Sequence, residues 1–287
     1  MMEIVFFEGK FVSPDDARIR VTDRGYLLGD GVFATLRAYE GVCFRPEQHV
    51  ETLLRGASLF GLDVPKGAAE LVRLADETAR RSECDDAYVR ITLTHGGILS
   101  VYARPTDPVP ASSYAEGIRA CVVDIRRAAP SCIDGSIKTT SYAPQLLAQR
   151  QALSRGADDG ILLSTDGAIA CATMANIFVV EGAVVYTPSL DTGCRNGVTR
   201  RAVIEIAPSM GLRVEEARLE VGALREADEV FLTSTRVECV PVASLDGRPI
   251  GNGKERFSRT HALRAALRQC IASETNVRRS RVGEAHP

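Results

Sequence analysis

Lys138 is a candidate nucleophile in this sequence. It follows the flexible pair Asp134-Gly135 and precedes a run of polar residues at 139–142. A lysine at the edge of a hydrophobic core is partly desolvated, which lowers the pKa of its amine and makes it reactive towards an aldehyde. An ordinary surface lysine fits the same local pattern, so the neighbouring motifs must decide between the two.

A second group of residues is suited to binding phosphate. Arg195, Asn196 and Gly197 precede Val198 and Thr199, and a helical pattern follows. A helix N-terminus offers free backbone N–H groups and the positive end of the helix dipole, to which Thr199 adds a hydroxyl group. Further hydroxyl groups follow an apolar stretch at residues 233–235, including that of Thr235. A capped helix and a hydroxyl-rich loop are the structural alternatives.

Three more patterns contain candidate binding groups. Gly29-Asp30-Gly31 leads into an apolar stretch that carries Arg37, a predicted helix carries His49, and Asp166-Gly167 precedes Asn176. An arginine among apolar strand residues suits bidentate binding of a carboxylate, although a structural ion pair is equally consistent. The Asp-Gly pairs favour turns in their own right.

The periodicity of the apolar residues predicts the elements that must position these groups. Pro46 and the spacing of Val50, Leu53 and Ala57 predict a helix that ends at Gly61. Further helices are predicted at residues 67–81, 144–154, 199–210 and 254–271. Alternating or β-branched stretches predict strands at residues 4–7, 10–12, 32–39, 42–44, 87–94, 118–123, 160–163, 175–180 and 228–233.

Chain length predicts two domains, because 287 residues exceed one ordinary core. Residues 126–137 contain Pro130 and Gly135 and have no periodicity, which is typical of a linker. We therefore expect a small α+β domain at residues 1–125, a linker at 126–137 and a larger β-rich domain at 138–272. Residues 273–287 are expected to be a disordered tail.

The composition excludes several functional classes. A net charge of −2 gives no electrostatic basis for binding nucleic acid or an anionic membrane. No apolar run approaches the ~20 residues needed to span a bilayer. The eight cysteines lack CxxC spacing and the four histidines add no ligand pattern, so no metal site is predicted. No secretory signal is visible, and we expect a cytoplasmic protein with reduced thiols.

The order and spacing of the motifs resemble those of the class IV aminotransferase family. The matching strings are GDGVFATLRAYEG, FRPEQHVETLLRGA, the segment of Lys138, DGAIACATMANIFVV, GVTR and ADEVFLTSTRVECVPV. The family includes branched-chain amino-acid aminotransferases, D-amino-acid aminotransferases and 4-amino-4-deoxychorismate lyases, and the resemblance covers about residues 4–270. It implies a two-domain α+β or α/β chain with the fold-type IV pyridoxal-phosphate (PLP) enzyme fold, as in D-amino-acid aminotransferase. It also implies PLP between the domains and a homodimer.

The resemblance implies a role for each matching residue. Lys138 corresponds to the lysine that forms a Schiff base with PLP and moves a proton during transamination. Val198 and Thr199 correspond to the phosphate-binding turn, Thr235 to a further phosphate ligand, and Asn176 to the asparagine of a motif beside the cofactor. The residues expected on the substrate side are Arg37, Arg90, His95 and Tyr142, although His95 also fits as a polar residue at a strand end.

Two positions depart from the family's pattern. The family usually has a glutamate five residues before the asparagine, where its carboxylate keeps the pyridine nitrogen protonated, but this chain has Cys171. A thiol in apolar surroundings has a raised pKa and does not replace that carboxylate. The family also has a phosphate-binding arginine three residues after the histidine that corresponds to His49. Thr52 occupies that position, with Arg55 one turn further along the same helix face.

Three hypotheses about function follow. The first is a PLP-dependent aminotransferase that acts on a small branched-chain or D-amino acid and a 2-oxo acid. The second is a 4-amino-4-deoxychorismate lyase-like enzyme, which releases pyruvate and needs no amino acceptor. The third is a family member with weakened or lost PLP use, working as a cofactor-independent enzyme or a binding protein, because Cys171 and Thr52 replace the usual glutamate and arginine.

Overall fold

The structure is a computed structural model that describes residues 2–251 and 256–284, and the chain divides into two compact units. Of the described residues, the first unit contains 2–108, 137–142 and 270–284, and the second contains 109–136, 143–251 and 256–269. This division differs from the boundaries expected at residues 125 and 138. Strand pairing is the reason, because residues 118–122 pair within the second unit and residue 139 pairs within the first.

The first unit contains a six-stranded antiparallel sheet with the strand order β2-β1-β6-β5-β3-β4. Its strands are β1 (Ile4–Phe7), β2 (Lys10–Val12), β3 (Gly31–Tyr39), β4 (Val42–Cys43), β5 (Asp86–Thr94) and β6 (Leu99–Pro105). Its helices are α1 (Arg24–Leu28), α2 (Pro46–Leu59) and α3 (Ala68–Arg81). The predicted strands and the two longer helices are present in this unit, whereas β6 was not predicted.

Alternation of side chains along β3 and β5 separates a core from a second, more polar face. Val32, Leu36 and Ile91 are among the apolar residues that pack with α2 and α3 in the buried core. Successive strand residues point to opposite faces of a sheet, so the intervening residues face away from this core. We call them the polar sheet face, which comprises Phe33, Thr35, Arg37, Tyr39, Tyr88, Arg90 and Thr92.

Residues 137–140 lie alongside the start of β3. The backbone N–H of Phe33 donates to the carbonyl of Lys138 at 2.8 Å, and that of Thr140 donates to the carbonyl of Gly31 at 2.9 Å. Gly29 has a φ of +66°, and a Cβ at this position would lie only 2.2 Å from the hydroxyl oxygen of Ser141, so glycine permits the close approach. This pairing fixes the backbone of Lys138 against the sheet.

The second unit contains a nine-stranded mixed sheet with the order β12-β11-β10-β13-β14-β7-β8-β9, and β15 pairs with β14. Its strands are β7 (Ile118–Val122), β8 (Asp159–Leu163), β9 (Ile169–Ala172), β10 (Asn176–Glu181), β11 (Val184–Pro188), β12 (Arg213–Ala217), β13 (Glu229–Ser234), β14 (Glu238–Leu245) and β15 (Arg248–Pro249). Helices α4 (Ala111–Ala115), α5 (Ala143–Ser154), α6 (Val198–Ile206) and α7 (Val221–Glu226) accompany them. The sequence predicted four of these strands and the two longer helices.

The last helix, α8 (Ser258–Glu284), overturns the expectation of a disordered tail for the residues from 273 to 284. Its final turns are held by ion pairs within the first unit, where Arg45 binds Glu274 at 2.8 Å and Arg278 binds the buried Asp76 at 2.8 Å. The predicted start of this helix at Lys254 and the residues after Glu284 lie outside the described residues. No helix within the described ranges is long and apolar enough to cross a membrane.

Candidate active site

Lys138 lies half-buried against the polar sheet face. Its Nζ atom donates a hydrogen bond of 3.4 Å to Oγ1 of Thr35 and lies 4.8 Å from the centroid of the Phe33 ring. Thr35 and Phe33 belong to β3, which is hydrogen-bonded to the backbone of Lys138 through the N–H of Phe33. The amine therefore has a defined position on this face rather than extending freely into solvent.

Arg90 reaches the same aromatic ring from the neighbouring strand. It stands directly across from Thr35 in the β3–β5 register, and its guanidinium carbon lies 3.6 Å from the Phe33 centroid. Its Nε donates to the hydroxyl of Thr92 at 3.1 Å. The Tyr142 ring meets Phe33 edge-on at 5.4 Å. Three of the predicted site residues thus share one partner, Phe33, which the sequence analysis did not single out.

Arg37 lies on the same face but is occupied by a structural ion pair. Its Nε and Nη2 atoms donate to the two carboxylate oxygens of Asp86 at 2.7 and 2.5 Å, and its guanidinium lies 5.1 Å from the Tyr39 centroid. Of the two roles left open for Arg37, the structure contains the ion pair. His95 is 46% exposed on the turn after β5, with Nδ1 3.6 Å from the Asp30 carboxylate.

Thr52 and Arg55 lie on α2. Thr52 is half-buried and its hydroxyl donates to the backbone carbonyl of Gln48 at 3.0 Å, a local bond within the helix. Arg55 is exposed. Each therefore has the helical position that was expected, and their part in binding a phosphate stays a prediction.

The predicted phosphate-binding turn is held by Asn176 at the start of β10. Its side-chain amide donates to the carbonyl of Arg195 at 2.6 Å. A Cβ on Gly197 would lie 2.4 Å from the amide oxygen of Asn176, so only glycine permits this contact. Gly197 is the N-cap of α6 and, as a glycine, has no side chain with which to cap that end. The first N–H groups of Val198 and Thr199 are thus at a helix N-terminus suited to an anion.

Arg200 fixes the other side of this turn, and sequence reasoning gave it no role. Only 1% of it is exposed, and its guanidinium donates to Asn196 Oδ1 at 3.1 Å, to the Pro188 carbonyl at 3.1 Å and to Glu216 at 2.7 Å. An arginine in the first turn of a predicted helix is usually solvated, so nothing in the local sequence signals this burial. Arg200 makes the turn before α6 rigid.

Two threonines near the end of β13 supply hydroxyl groups. Thr233 is 1% exposed, pairs with Asn176 in the sheet, and its hydroxyl oxygen has no hydrogen-bond partner among the residues that the structure describes. Buried hydroxyl groups are nearly always hydrogen-bonded, so this one is available to a bound group. Thr235 is half-buried in the turn that follows the strand.

Cys171 lies on β9, paired with Leu162 of β8. Burial raises the pKa of its thiol to about 11, against a smaller opposing effect of the positive charge of Arg127. The direction agrees with the sequence-based expectation for a thiol in apolar surroundings. The side chain is neutral at physiological pH and carries no charge that could replace a carboxylate.

Sequence comparison places these residues in a known family. The sequence profile of amino-transferase class IV matches residues 31–245, which include Phe33, Arg90, Lys138, Asn176 and Thr235. The chain belongs to the class IV aminotransferase family. This assignment confirms the resemblance inferred from the motifs.

Curated relatives include both transferases and a lyase. A putative branched-chain-amino-acid aminotransferase of Methanocaldococcus jannaschii is 37% identical over 86% of this chain and 90% of its own length. The D-alanine aminotransferase of Bacillus licheniformis is 30% identical over 94% of this chain and 98% of its own. The aminodeoxychorismate lyase of Bacillus subtilis is also 30% identical, over 93% and 94%. Identity alone therefore does not separate the two reaction types.

Solved structures confirm the fold. The branched-chain aminotransferase of Thermoproteus uzoniensis, solved with norvaline, superposes with a TM-score of 0.85 at 30% identity and covers 93% of this chain and 94% of its own. The branched-chain amino acid aminotransferase of Escherichia coli also gives a TM-score of 0.85, at 28% identity and with 96% of each chain covered. The fold is that of the class IV aminotransferases.

Proposed function

We propose that the chain is a PLP-dependent aminotransferase that moves the amino group of a small amino acid, branched-chain or D-configured, to a 2-oxo acid. The observation that carries this proposal is the pairing of Lys138 and Arg90 on the Phe33 ring, at 4.8 and 3.6 Å. An amine that reacts with an aldehyde and a guanidinium that binds a carboxylate are two groups that this reaction uses.

The residues of the second unit fit the phosphate end of PLP. The helix end at Val198 has a glycine at its N-cap and so no capping side chain from that residue, and the buried hydroxyl of Thr233 has no hydrogen-bond partner among the described residues. We assign phosphate binding to the N–H groups of Val198 and Thr199 and to the hydroxyls of Thr199 and Thr235. Lys138 is the residue that would hold the cofactor covalently.

Each catalytic role falls to a residue described above. When bound, PLP supplies an electron sink for negative charge on the substrate Cα. Lys138 moves a proton at Nζ to and from that carbon, which requires its amine to be unprotonated for part of the cycle. Arg90 orients the substrate through a carboxylate, while Phe33 and Tyr142 provide an apolar surface that limits the access of water.

Cys171 is the position that does not fit a strong aminotransferase. A thiol with a pKa of about 11 does not hold a proton on the pyridine nitrogen, and a neutral ring stabilises negative charge less well. We therefore expect transamination that is slower than in enzymes with the glutamate. The same feature keeps the lyase alternative open, since a lyase relative is as identical to this chain, at 30%, as a D-alanine aminotransferase relative.

Dependence on an amino acceptor separates the two reactions. The protein is incubated with PLP and a branched-chain or D-amino acid, with and without a 2-oxo acid. Continuous product formation only with the acceptor supports the aminotransferase. Release of pyruvate from 4-amino-4-deoxychorismate without an acceptor supports the lyase and contradicts the proposal.

Covalent trapping addresses the third hypothesis, weakened or lost PLP use. Borohydride reduction after incubation with excess PLP fixes any imine, and peptide mass spectrometry then locates it. A mass increase on the peptide of Lys138 supports both enzyme hypotheses. Unmodified Lys138 at saturating PLP contradicts both enzyme hypotheses and supports the third, a cofactor-independent enzyme or a binding protein.

We also propose a cytoplasmic homodimer that binds neither nucleic acid nor membranes. Dimer formation is what the resemblance implies, and eight free thiols fit a reducing compartment. Light scattering of the purified protein tests the dimer, and a mass equal to one chain at micromolar concentration contradicts it.

A further inference from the structure

The sequence contains only four lysines, at positions 10, 66, 138 and 254, against 31 arginines. Two of the lysines in the described part of the chain lie near an aromatic ring. Lys66 lies 5.8 Å from the Phe6 centroid and is also paired with Glu70, whereas Lys138 lies 4.8 Å from the Phe33 centroid. Lys138 shares its ring with a second cation, Arg90, at 3.6 Å.

The Phe33 ring is held rigidly enough to position both cations. Phe33 is 5% exposed, and its backbone N–H donates a hydrogen bond to the carbonyl of Lys138. It stands across from Thr92 of β5 in the sheet. Tyr142 contacts it edge-on. A cation over a ring face is attracted by the ring quadrupole, which makes the face of the ring electronegative.

We propose that Phe33 is a positioning residue whose ring holds the amine of Lys138 and the guanidinium of Arg90 in place on the polar sheet face. The proposal rests on the proposed function only in that Lys138 is taken as the reacting amine. Phe33 acts through these two side chains, so its effect is on where Lys138 lies and on how readily it gives up its proton.

The ring and the guanidinium have opposite effects on the reactivity of Lys138. Phe33 attracts the charged ammonium form, whereas the neighbouring positive charge of Arg90 favours the neutral amine. Only the neutral amine adds to an aldehyde carbon. As the imine forms, both amine protons pass to the aldehyde oxygen, which leaves as water. Other charged or titratable groups described on this face of β3 and β5 are Arg37, its partner Asp86, Tyr39 and Tyr88.

The test measures the titration midpoint of each lysine in the full-length protein. The protein is freed of bound aldehyde with hydroxylamine and its lysines are converted to ¹³C-dimethyl-lysines. Four side-chain signals and the N-terminus are resolved by NMR, and Lys138→Arg assigns the signal of interest. In the unsubstituted protein we expect the Lys138 methyl signal to be shifted upfield by the ring current of Phe33, relative to Lys10.

Substitutions at the ring and at Arg90 should move the Lys138 midpoint in opposite directions. Phe33→Leu removes the ring and should lower the midpoint by about half a pH unit. Phe33→Tyr keeps the ring face and should give the midpoint of the unsubstituted protein. Arg90→Met removes a positive charge and should raise the Lys138 midpoint. Phe6→Leu is the matched control, a buried phenylalanine in the same unit whose loss should leave the Lys138 midpoint unchanged.

Two results would overturn the proposal. One is a folded Phe33→Leu protein whose Lys138 midpoint equals that of the unsubstituted chain. The other, which needs no variant, is a Lys138 methyl signal without an upfield shift, and it decides the matter if Phe33→Leu does not fold. Both are independent of amino transfer, so a protein that fails the activity assays can still confirm the role of Phe33.

Discussion

At the residue scale, two arginines on the polar sheet face differ in what they bind. Arg37 has a bidentate ion pair with Asp86, whereas the nearest described partners of Arg90 are the ring of Phe33 and the hydroxyl of Thr92. The sequence left Arg37 open between a carboxylate anchor and a structural ion pair, because its partner Asp86 is 49 residues away in sequence and is brought close only by the sheet.

Substitution by glutamine should separate these two arginines. Arg90→Gln should raise the KM for the amino acid by roughly 10- to 100-fold, the effect of losing a charge-assisted carboxylate contact of about 1.5–3 kcal/mol. Arg37→Gln should leave KM nearly unchanged and lower the free energy of unfolding by about 1 kcal/mol. Steady-state kinetics and urea unfolding of both variants check this, and equal changes in KM would contradict it.

Cys171 gives a prediction about pH. Because burial raises the pKa of this thiol to about 11 from the ordinary 9.0, its thiolate forms only in strongly alkaline solution. The thiolate is the form that reacts with alkylating reagents. The alkylation rate of the Cys171 peptide, followed by mass spectrometry, should therefore still be rising above pH 9.0. The exposed Cys132 is the internal comparison, and a Cys171 rate that levels off at or below pH 9.0 contradicts the account.

At the element scale, the start of α8 depends on a carboxylate from β13. Glu229 is 5% exposed and accepts hydrogen bonds from the backbone N–H groups of Arg259 and Thr260, both at 2.9 Å, and from the Thr260 hydroxyl at 2.7 Å. A negative group at this position satisfies the free N–H groups of the first turn and interacts favourably with the helix dipole.

Removal of this carboxylate should therefore destabilise the second unit. Glu229→Ala should lower the free energy of unfolding by about 2 kcal/mol, the combined effect of a lost helix cap and unsatisfied buried donors. Glu229→Gln keeps one acceptor oxygen and should lower the free energy of unfolding by roughly half as much. Urea unfolding followed by circular dichroism measures both, and an unchanged Glu229→Ala midpoint would contradict the capping role.

At the scale of the whole chain, the last turns of α8 join the first unit through ion pairs that are very distant in sequence. Arg278 binds Asp76, 202 residues earlier, and Asp76 also accepts from the backbone N–H of Cys43 at 2.8 Å. Arg279 makes a more exposed pair with Glu40 at 2.7 Å. The sequence predicted a disordered tail for residues 273–287 because a local pattern cannot reveal an acidic partner so far away.

These two adjacent arginines provide a matched comparison. Arg278→Ala leaves Asp76 buried, 4% exposed, without its cation, and should lower the free energy of unfolding by about 2 kcal/mol. Arg279→Ala removes an exposed pair and should cost less than about 1 kcal/mol. Thermal unfolding of both variants checks the difference. Equal and small effects would mean that the tail contributes little to the first unit.

The sequence predicted what is encoded locally and by motif order. Apolar periodicity gave β3, β5, α2 and α3, and the motifs gave the family, while the role of Lys138 stays a prediction. Contacts between segments that are distant in the chain could not be predicted from the sequence. The hydrogen bond from Lys138 to Thr35 spans 103 residues, and the burial of Arg200 depends on Glu216. Strands β11 and β12, at one end of the second sheet, were missed because their identity depends on partners in the sheet.

The most direct test of the central claim is transfer of ¹⁵N from a branched-chain or D-amino acid to a 2-oxo acid by the PLP-treated protein and by its Lys138→Ala variant. The account predicts transfer that depends on the acceptor and falls at least about 10²-fold in the variant, the contribution typical of a positioned acid–base group. Transfer that survives loss of Lys138, or product release that needs no acceptor, would contradict it.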